Sequence, residues 1–507
     1  MNESYWILST KSTNYEKLNE NIKVDTLIIG AGIVGVTTAY LLAKHGIKSV
    51  IIDANKVGYG TTGRNTGKVT TQHGTIYSKI NNKYGIETTK LYYEGNQEAL
   101  NLVKNIIDEN NIDCSYEEIE SFIFTENENY IEELKEEYEV CKNIGIKCNY
   151  HEKLNLPIDT KGAISFIHQG QFNPKKYIDK LMEINIKLGV KIYENTKIID
   201  LEKGETIHLK TNDNHKIEAN RLVLASHFPW YDGLNLYFAK EKSERSYLIC
   251  AKLEKDFPKG NFISVEEPTK TFRSYEGEGQ KLLIFGGNDH KTGQHKKEED
   301  IFRELKDYGS KTFDLKEFKY EWSAQDYMSF DNMPYIGHVN KKEDNIYVAT
   351  GFSKWGMTNG TLSAIIISDM ITKRNSKYEN IFNPSRMGSV FNTEFLKENL
   401  NVGVNYIKGK LTVGSDKMPQ IKGEGKTVNI DGKRCGAYRH YNNELYIVDI
   451  TCTHLGCELH FNSAEKTWDC PCHGSRFNYD GSILNGPALR PLNRYDEGKN
   501  KVDPKLK

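Results

Sequence analysis

The sequence predicts a multidomain protein in which a large α/β part precedes a small all-β part. Near the N-terminus, residues 25–29 form a strand pattern that ends in three apolar residues and leads into a glycine-rich turn and then a helical pattern. This order is typical of a parallel sheet with crossover helices. From Leu411 onward, short apolar strands alternate with glycine turns, which is typical of an all-β domain. A chain of 507 residues is long enough for two or three domains.

The N-terminal turn carries a dinucleotide-binding fingerprint. It reads G-x-G-x-x-G between strand and helix, and an acid ends the next strand, eighteen residues after the third glycine. The glycines permit a tight turn, close approach to a pyrophosphate and close helix–strand packing, while the helix N-terminus attracts phosphate and the acid accepts from ribose hydroxyls. We therefore predict a Rossmann-like domain. Its expected binding residues are Gly30, Gly32, Ile33, Val34, Gly35 and Asp53.

Composition excludes several classes of partner. The formal net charge is −1 and apolar residues make up 38% of the chain, so nothing indicates binding to nucleic acid or to an anionic membrane. Residues 26–43 contain no charge and reach the lower length limit of a membrane span. The glycines among them and the preceding strand pattern favour the nucleotide-binding interpretation, and we predict no membrane span.

Near the C-terminus, two half-sites combine cysteine with histidine. Cys452 and His454 form the first, and Cys470 and His473 form the second, with fifteen residues between His454 and Cys470. A Rieske-type [2Fe–2S] cluster requires this set, in which two thiolates hold one iron and two imidazoles hold the other. A zinc site is the alternative, but zinc fingers usually separate their paired ligands by more than the single residue found between Cys452 and His454.

These residues resemble the Rieske family over the last part of the chain, 412–507. In the high-potential members of that family the two remaining cysteines pair, which implies a disulfide between Cys457 and Cys472. Ser475 stands where the family places a hydroxyl donor to the cluster, whereas Phe477 replaces a tyrosine donor. One donor fewer implies a lower reduction potential. Residues 486–488, Gly-Pro-Ala, resemble the loop that covers the cluster.

Four segments in order resemble the D-amino-acid-oxidase-like flavoproteins over residues 24–372. After the fingerprint come residues 57–69, here called the second flavin segment, then the strand 219–225, residues 322–337 and residues 350–360. Together with the fingerprint, these four are called the flavin segments. The resemblance implies bound FAD and an antiparallel sheet that roofs the substrate. It adds these expected cofactor-binding residues: Thr61, Thr62, Asn65, Gly67, Gly356, Met357 and Thr358.

The predicted organisation follows from both resemblances. Residues 1–385 form the FAD-dependent part, with the substrate subdomain inserted at roughly 80–190 and 230–325. Residues 386–411 are a linker with one helix, and 412–507 form the Rieske domain. Helical periodicity predicts helices at 87–110, 129–145 and 174–188, and residues 212–215 predict a hairpin turn.

Together, flavin and cluster predict an oxidoreductase that converts two-electron into one-electron chemistry. We expect a dehydrogenase that oxidises a small amine-like substrate and passes electrons singly to the cluster and on to an unidentified acceptor. Three alternatives remain: a reductase with electron flow from cluster to flavin, a redox sensor without turnover, and an oxidase that releases hydrogen peroxide.

Four residues are candidates for the substrate pocket. Asp326 occupies the position at which amino-acid-oxidising relatives often carry an arginine, which favours a cationic or neutral substrate over a carboxylate-bearing one. Lys68 lies at the end of the second flavin segment, His73 follows that segment, and Arg273 lies in the expected roofing sheet. Each of the four has a structural alternative as a paired or buried side chain, and no general base is assigned.

Cysteine usage and the N-terminus predict a cytoplasmic protein. Five of the nine cysteines lie outside the cluster motif at spacings that suggest no disulfide framework. The first residues lack the basic and apolar regions of a signal peptide. No cysteine lies between Cys250 and Cys435, and Arg64 occupies the position of a histidine that carries flavin covalently in some relatives, so we expect non-covalent FAD.

Overall fold

The computed structural model describes residues 3–277, 279–294, 297–386, 393–411, 417–496 and 499–502. Residues 387–392 of the predicted linker, and 412–416, 497–498 and 503–507 of the predicted Rieske domain, lie outside this description. The helices are α1 (Tyr5–Leu8), α2 (Ile33–Lys44), α3 (Ile76–Tyr84), α4 (Ile86–Asn110), α5 (Ile131–Asn143), α6 (Pro174–Lys187), α7 (Tyr237–Lys240), α8 (Glu298–Phe313), α9 (Gly356–Ile371), α10 (Glu379–Phe382) and α11 (Thr393–Leu411). The strands are β1 (Ile22–Ile29), β2 (Ser49–Ile52), β3 (Lys68–Val69), β4 (Glu117–Thr125), β5 (Cys148–His151), β6 (Gly162–Gln171), β7 (Lys191–Tyr193), β8 (Ile198–Glu202), β9 (Ile207–Thr211), β10 (Lys216–Leu224), β11 (Glu241–Lys252), β12 (Asn261–Ser264), β13 (Lys270–Gly277), β14 (Gln280–Lys291), β15 (Phe318–Ser329), β16 (Tyr335–His338), β17 (Ile346–Thr350), β18 (Gly425–Ile430), β19 (Lys433–Arg439), β20 (Leu445–Asp449), β21 (His460–Asn462), β22 (Thr467–Asp469), β23 (Arg476–Asn478), β24 (Ile483–Asn485), β25 (Arg494–Asp496) and β26 (Lys499–Val502).

The nucleotide-binding sheet has the order β16-β17-β10-β1-β2-β7. Pairing is parallel from β17 through β10, β1 and β2 to β7, and β16 adds an antiparallel edge. Helices α2 and α9 pack against each other and are buried on most sides. A strand that is covered on both faces consists of a nearly continuous apolar run. This explains why residues 26–29 at the end of β1 are all buried and mostly apolar. The uncharged segment 26–43 is therefore the end of β1 and most of α2, and no described helix meets the length and hydropathy of a membrane span.

The roofing sheet has the order β15-β11-β14-β13-β12-β4-β6-β3, with β5 beside β6. Its pairs are antiparallel except for β12 with β4, which are parallel. Helix α8 packs on β11 and β14. Helix α6 falls inside the predicted insertion, yet it packs on α2 of the nucleotide-binding part. The amphipathic pattern of a helix predicts that one face is buried, but it does not identify the domain that buries this face.

The C-terminal part contains two small sheets, ordered β18-β19-β20-β25-β26 and β21-β22-β23-β24. The predicted cluster ligands lie on the loops 450–459 and 470–475, here called the cluster loops. The buried core between these loops and the strands includes Leu459, Trp468 and Phe477. Helix α11 occupies most of the predicted linker. Just before it, Arg386 holds both carboxylate oxygens of Asp331, at 2.6 and 2.8 Å, so the chain stays attached to the FAD-dependent part up to this residue.

Candidate functional site: a cavity between the nucleotide loop and the cluster loops

The glycine-rich loop is shaped by crowding that admits no side chain. Gly30 has φ +112°, and a Cβ there would lie 2.4 Å from the Ala225 carbonyl oxygen. A Cβ on Gly35 would lie 1.9 Å from the Gly30 carbonyl oxygen, and one on Gly32 would lie 3.0 Å from Thr62 Oγ1. The Thr62 hydroxyl accepts from the Ile33 N–H at 3.1 Å and so joins the second flavin segment to the start of α2.

One cavity of about 1450 Å³ extends from this loop past the roofing sheet to the C-terminal domain. Two expected cofactor-binding residues, Gly35 and Gly67, do not line it. Gly67 packs instead, because a Cβ there would lie 2.5 Å from the Phe172 carbonyl oxygen. The expected residues that do line the cavity are Gly30, Gly32, Ile33, Val34, Asp53, Thr61, Thr62, Asn65, Gly356, Met357 and Thr358.

Asp53 lies at the end of β2 and faces this cavity. Its two carboxylate oxygens accept from the N–H groups of Ala31 and Asn55, each at 2.7 Å. Burial raises the pKa of this carboxyl, and the two N–H groups oppose the rise. Each oxygen retains lone-pair capacity for a ribose hydroxyl. The glycine loop, the start of α2 and Asp53 thus fit the dinucleotide part of FAD.

Two of the pocket candidates line the cavity with their polar atoms already engaged. His73 is buried, stacks on Trp355 with ring centroids 4.8 Å apart, and places Nε2 2.7 Å from the Thr70 carbonyl oxygen. Burial lowers the pKa of His73 to about 3, so the ring is neutral near pH 7. Lys68 donates to the carbonyl oxygen of Phe262 at 2.7 Å, and burial lowers the pKa of its ammonium.

Arg273 is not among the residues that line the cavity, which corrects its expected contact with substrate. Its guanidinium lies over the rings of Trp6 and Tyr275, and it donates to the carbonyl oxygens of Thr66 and Phe172 at 2.6 and 3.1 Å. A position within a roofing strand does not reveal which sheet face a side chain occupies until the register is known.

Asp326 lines the cavity and is paired with a histidine. Its Oδ1 lies 3.0 Å from Nε2 of His227, whose Nδ1 lies 3.3 Å from Thr61 Oγ1. His227 follows the strand β10 and has the left-handed φ of +67°. Sequence reasoning missed His227, although its place just beyond a strand that reaches the cofactor was a usable signal.

A partly buried charge cluster on the cavity wall was also missed. Lys354 Nζ lies 2.9 Å from a carboxylate oxygen of Glu244 and 2.7 Å from one of Asp289. Burial disfavours the charged ammonium, but the two carboxylates outweigh it and raise the pKa of Lys354. These residues come from three distant segments, so no local motif links them.

The predicted cluster ligands lie on two neighbouring loops. Cys457 and Cys472 form a disulfide between the loops, whereas Cys452 and Cys470 are buried free cysteines. Backbone hydrogen bonds close each loop, from Cys452 N–H to the Cys457 carbonyl oxygen at 2.7 Å and from Cys470 N–H to that of Ser475 at 2.8 Å.

The two histidine rings are neighbours with nearly perpendicular planes, and they suit an iron site. The ring centroids of His454 and His473 are 5.1 Å apart. Nδ1 of His454 is buried and has no hydrogen-bond partner in the described part of the chain, as expected of an atom that binds metal. The sulfurs of Cys457, Cys470 and Cys472 also lie within 4.8 Å of one another, but two of them are consumed by the disulfide. Cys452, His454, Cys470 and His473 therefore fit the cluster.

The C-terminal domain closes one side of the flavin cavity. Glu465 reaches across to Arg245 Nη2 and Ser323 Oγ of the roofing sheet, and it also accepts from Arg476 Nη2 at 2.8 Å. Glu465 and Arg476 both line the cavity. Phe238 of α7 contacts both histidines, with ring-centroid distances of 4.9 and 5.1 Å. The C-terminal domain thus contacts the FAD-dependent part at the roofing sheet and at α7.

We expect Glu465→Gln to destabilise the protein by about 3–5 kcal/mol, because it leaves Arg245 buried without its carboxylate partner. Urea unfolding monitored by fluorescence measures the change. Glu132→Gln is the control: Glu132 forms an ion pair with Lys135 and its side chain is 85% exposed, so its loss should cost less than about 1 kcal/mol. Equal effects of the two substitutions would contradict a buried interdomain network.

Comparisons with known proteins agree with this architecture. Residues 25–370 match the FAD dependent oxidoreductase family, and residues 411–496 match the Rieske [2Fe-2S] domain. The chain is 40% identical to the Rieske 2Fe-2S iron-sulfur protein YhfW of Bacillus subtilis over 496 residues, 97% of each chain. It is 23% identical to gamma-glutamylputrescine oxidoreductase of Escherichia coli, over 73% of this chain and 88% of that one.

Solved structures with the same fold include two amino-acid-metabolising enzymes. Glycine oxidase from Geobacillus kaustophilus superimposes with a TM-score of 0.61 at 17% identity, covering 72% of this chain and 99% of its own. L-proline dehydrogenase from P. horikoshii superimposes with a TM-score of 0.60 at 19% identity, covering 73% and 98%. The chain belongs to the FAD-dependent oxidoreductases and carries a C-terminal Rieske [2Fe-2S] domain.

Proposed function

We propose that this oxidoreductase is a dehydrogenase that oxidises a small amine-like substrate and delivers the electrons singly, through its cluster, to an unidentified acceptor. The observation that carries the proposal is the shared cavity, which is lined both by the flavin segments and by Glu465, Arg476 and Gly486 of the cluster-bearing domain. A cluster domain that only stabilised the fold would have no need to border the cofactor cavity.

The chain's own residues form two separate sites, one for FAD and one for the cluster. FAD, when bound, accepts a hydride from substrate, and the Rieske cluster, when bound, carries one electron at a time. The Gly30 loop and the start of α2 hold the pyrophosphate. Cys452 and Cys470 would hold one iron of the cluster, and His454 and His473 would hold the other. The roofing sheet and the docked C-terminal domain both border the cavity between the two sites.

The charges on the cavity wall support an amine rather than a carboxylate-bearing substrate. In the described part of the chain, three arginines line the cavity: Arg64, Arg245 and Arg476. Arg64 pairs with Glu3 at 2.7 Å, and the other two pair with Glu465. No arginine is left for the bidentate clamp that recognises a carboxylate. The E. coli relative is named for gamma-glutamylputrescine, an amine that also bears the free carboxylate of its glutamyl group, so its name supports oxidation of an amine but not the preference against a carboxylate.

Anaerobic stopped-flow mixing of the holoprotein with a panel of mono-, di- and polyamines tests the proposal. We expect flavin absorbance to bleach first and cluster absorbance to follow, because substrate reduces the flavin directly. Glycine and proline serve as carboxylate-bearing comparisons and should react more slowly. Cluster bleaching ahead of flavin would contradict the direction of flow, and absence of reduction by every amine would contradict a dehydrogenase of this substrate class.

A further inference from the structure

Strand β15 lies between the second flavin segment and the C-terminal domain and contacts both. Its alternate residues Ser323, Gln325 and Tyr327 share one face, as strand geometry requires. Ser323 contacts Glu465, Gln325 Nε2 donates to the Gly474 carbonyl oxygen at 2.9 Å, and Tyr327 Oη donates to that of Gly486 at 3.1 Å. This face is therefore the docking face for the C-terminal domain, including the loop that carries Cys470 and His473.

Gln325 also reaches the flavin side through its main chain. Its carbonyl oxygen accepts from the hydroxyl of Thr61, in the second flavin segment, at 3.1 Å. Its side-chain Oε1 accepts from Thr292 Oγ1 at 3.3 Å. Gln325 is only 2% exposed, and with both ends of the amide bonded its side chain has one favourable orientation.

The acceptor of the Gln325 amide lies beside a cluster ligand. Gly474 directly follows His473. It has φ +78°, and a Cβ there would lie 1.9 Å from Ser243 Oγ of β11. The loop therefore contacts the roofing sheet at Ser243 and, through the Gln325 hydrogen bond, at β15, in both cases at the residue next to His473.

We propose that Gln325 is a positioning residue that holds the His473 loop against the flavin segment, and that electrons cross by the path Thr61, Gln325, Gly474, His473. The path consists of covalent bonds and two hydrogen bonds, and tunnelling through such bonds is faster than across an open gap. Each crossing would oxidise the flavin by one electron and reduce the cluster by one electron, and a one-electron acceptor outside the chain would reoxidise the cluster before the second crossing. Two crossings and two reduced acceptor molecules then balance one two-electron oxidation of substrate. The inference rests on the proposed function only in requiring that both cofactors bind.

Flash photoreduction of the bound flavin, with EDTA as the electron donor, tests the path without any amine. Cluster reduction is then followed by its visible absorbance. Gln325→Met keeps the side chain's length but removes its donor. We expect it to slow the transfer by about tenfold, because loss of one buried hydrogen bond shifts the equilibrium between the held and the released His473 loop by about that factor. Gln325→Asn keeps the amide but shortens the reach, and an intermediate rate is expected.

Gln294→Met is the matched control. Gln294 Nε2 also donates from the FAD-dependent part to a cluster-loop carbonyl, that of Pro471, at 2.9 Å, but it has no described contact with the flavin segments. Its substitution should leave the rate within about twofold. Flavin content and the electron paramagnetic resonance spectrum of the dithionite-reduced cluster verify that each variant keeps both cofactors. Equal slowing in the Gln294 and Gln325 variants, or no slowing in either Gln325 variant, would overturn the proposal.

Discussion

Replacing Cys470 with serine should remove the cluster and leave the flavin in place. Cys470 is buried on the second cluster loop, and a serine oxygen is a poor substitute for a thiolate that holds iron. We expect electron delivery to an external one-electron acceptor to fall by more than about 100-fold, beyond the loss caused by changing a residue that only supports a ligand. Amine-driven reduction of the flavin should continue. Iron content and electron paramagnetic resonance measure the first effect, and anaerobic flavin bleaching the second.

Cys435→Ser provides the control within the same domain. Cys435 is 2% exposed on strand β19, in a hydrophobic cluster separate from the cluster loops. Its substitution should retain iron and the spectrum of the reduced cluster. If Cys470→Ser kept an unchanged spectrum, the assignment of Cys470 as a ligand would be wrong.

Gly35→Ala should yield protein that binds little FAD. The added Cβ would lie 1.9 Å from the Gly30 carbonyl oxygen, so α2 must move away from β1 and carry the phosphate-binding N–H groups with it. Overpacking of this kind costs about 1–3 kcal/mol even where the neighbours can relax. We therefore expect flavin occupancy to fall by more than about tenfold at limiting FAD, measured as flavin absorbance per mole of purified protein.

Gly46→Ala separates steric crowding from backbone strain. Gly46 follows α2 with φ +74°, and a Cβ there would meet nothing within 4 Å. The substitution should cost about 1–2 kcal/mol of stability through its left-handed backbone while FAD occupancy stays normal. Comparable flavin loss from both alanines would mean that general destabilisation, rather than the helix–strand contact, controls binding.

Local motifs were enough to identify both cofactors. The glycine loop before α2 and the cysteine–histidine loops each lie within a few consecutive residues, where bond geometry restricts which partners can meet. For the same reason the helices α4, α5 and α6 were predicted close to their observed bounds. The pattern did not reveal that α6 packs on α2, because periodicity specifies a buried face and not its partner.

The relation between the two cofactor sites depended on tertiary structure alone. Arg273 proved to pack against Trp6, and Asp326 proved to pair with His227. Glu465 and Gln325 carried no signal in the sequence, since their partners lie up to 264 residues away. Such contacts arise only when strand register selects the face on which each side chain points and when two separately folded cores bury their polar groups against each other. The chain's short motifs thus specify which cofactors it binds, whereas long-range packing specifies how the flavin and cluster sites are connected.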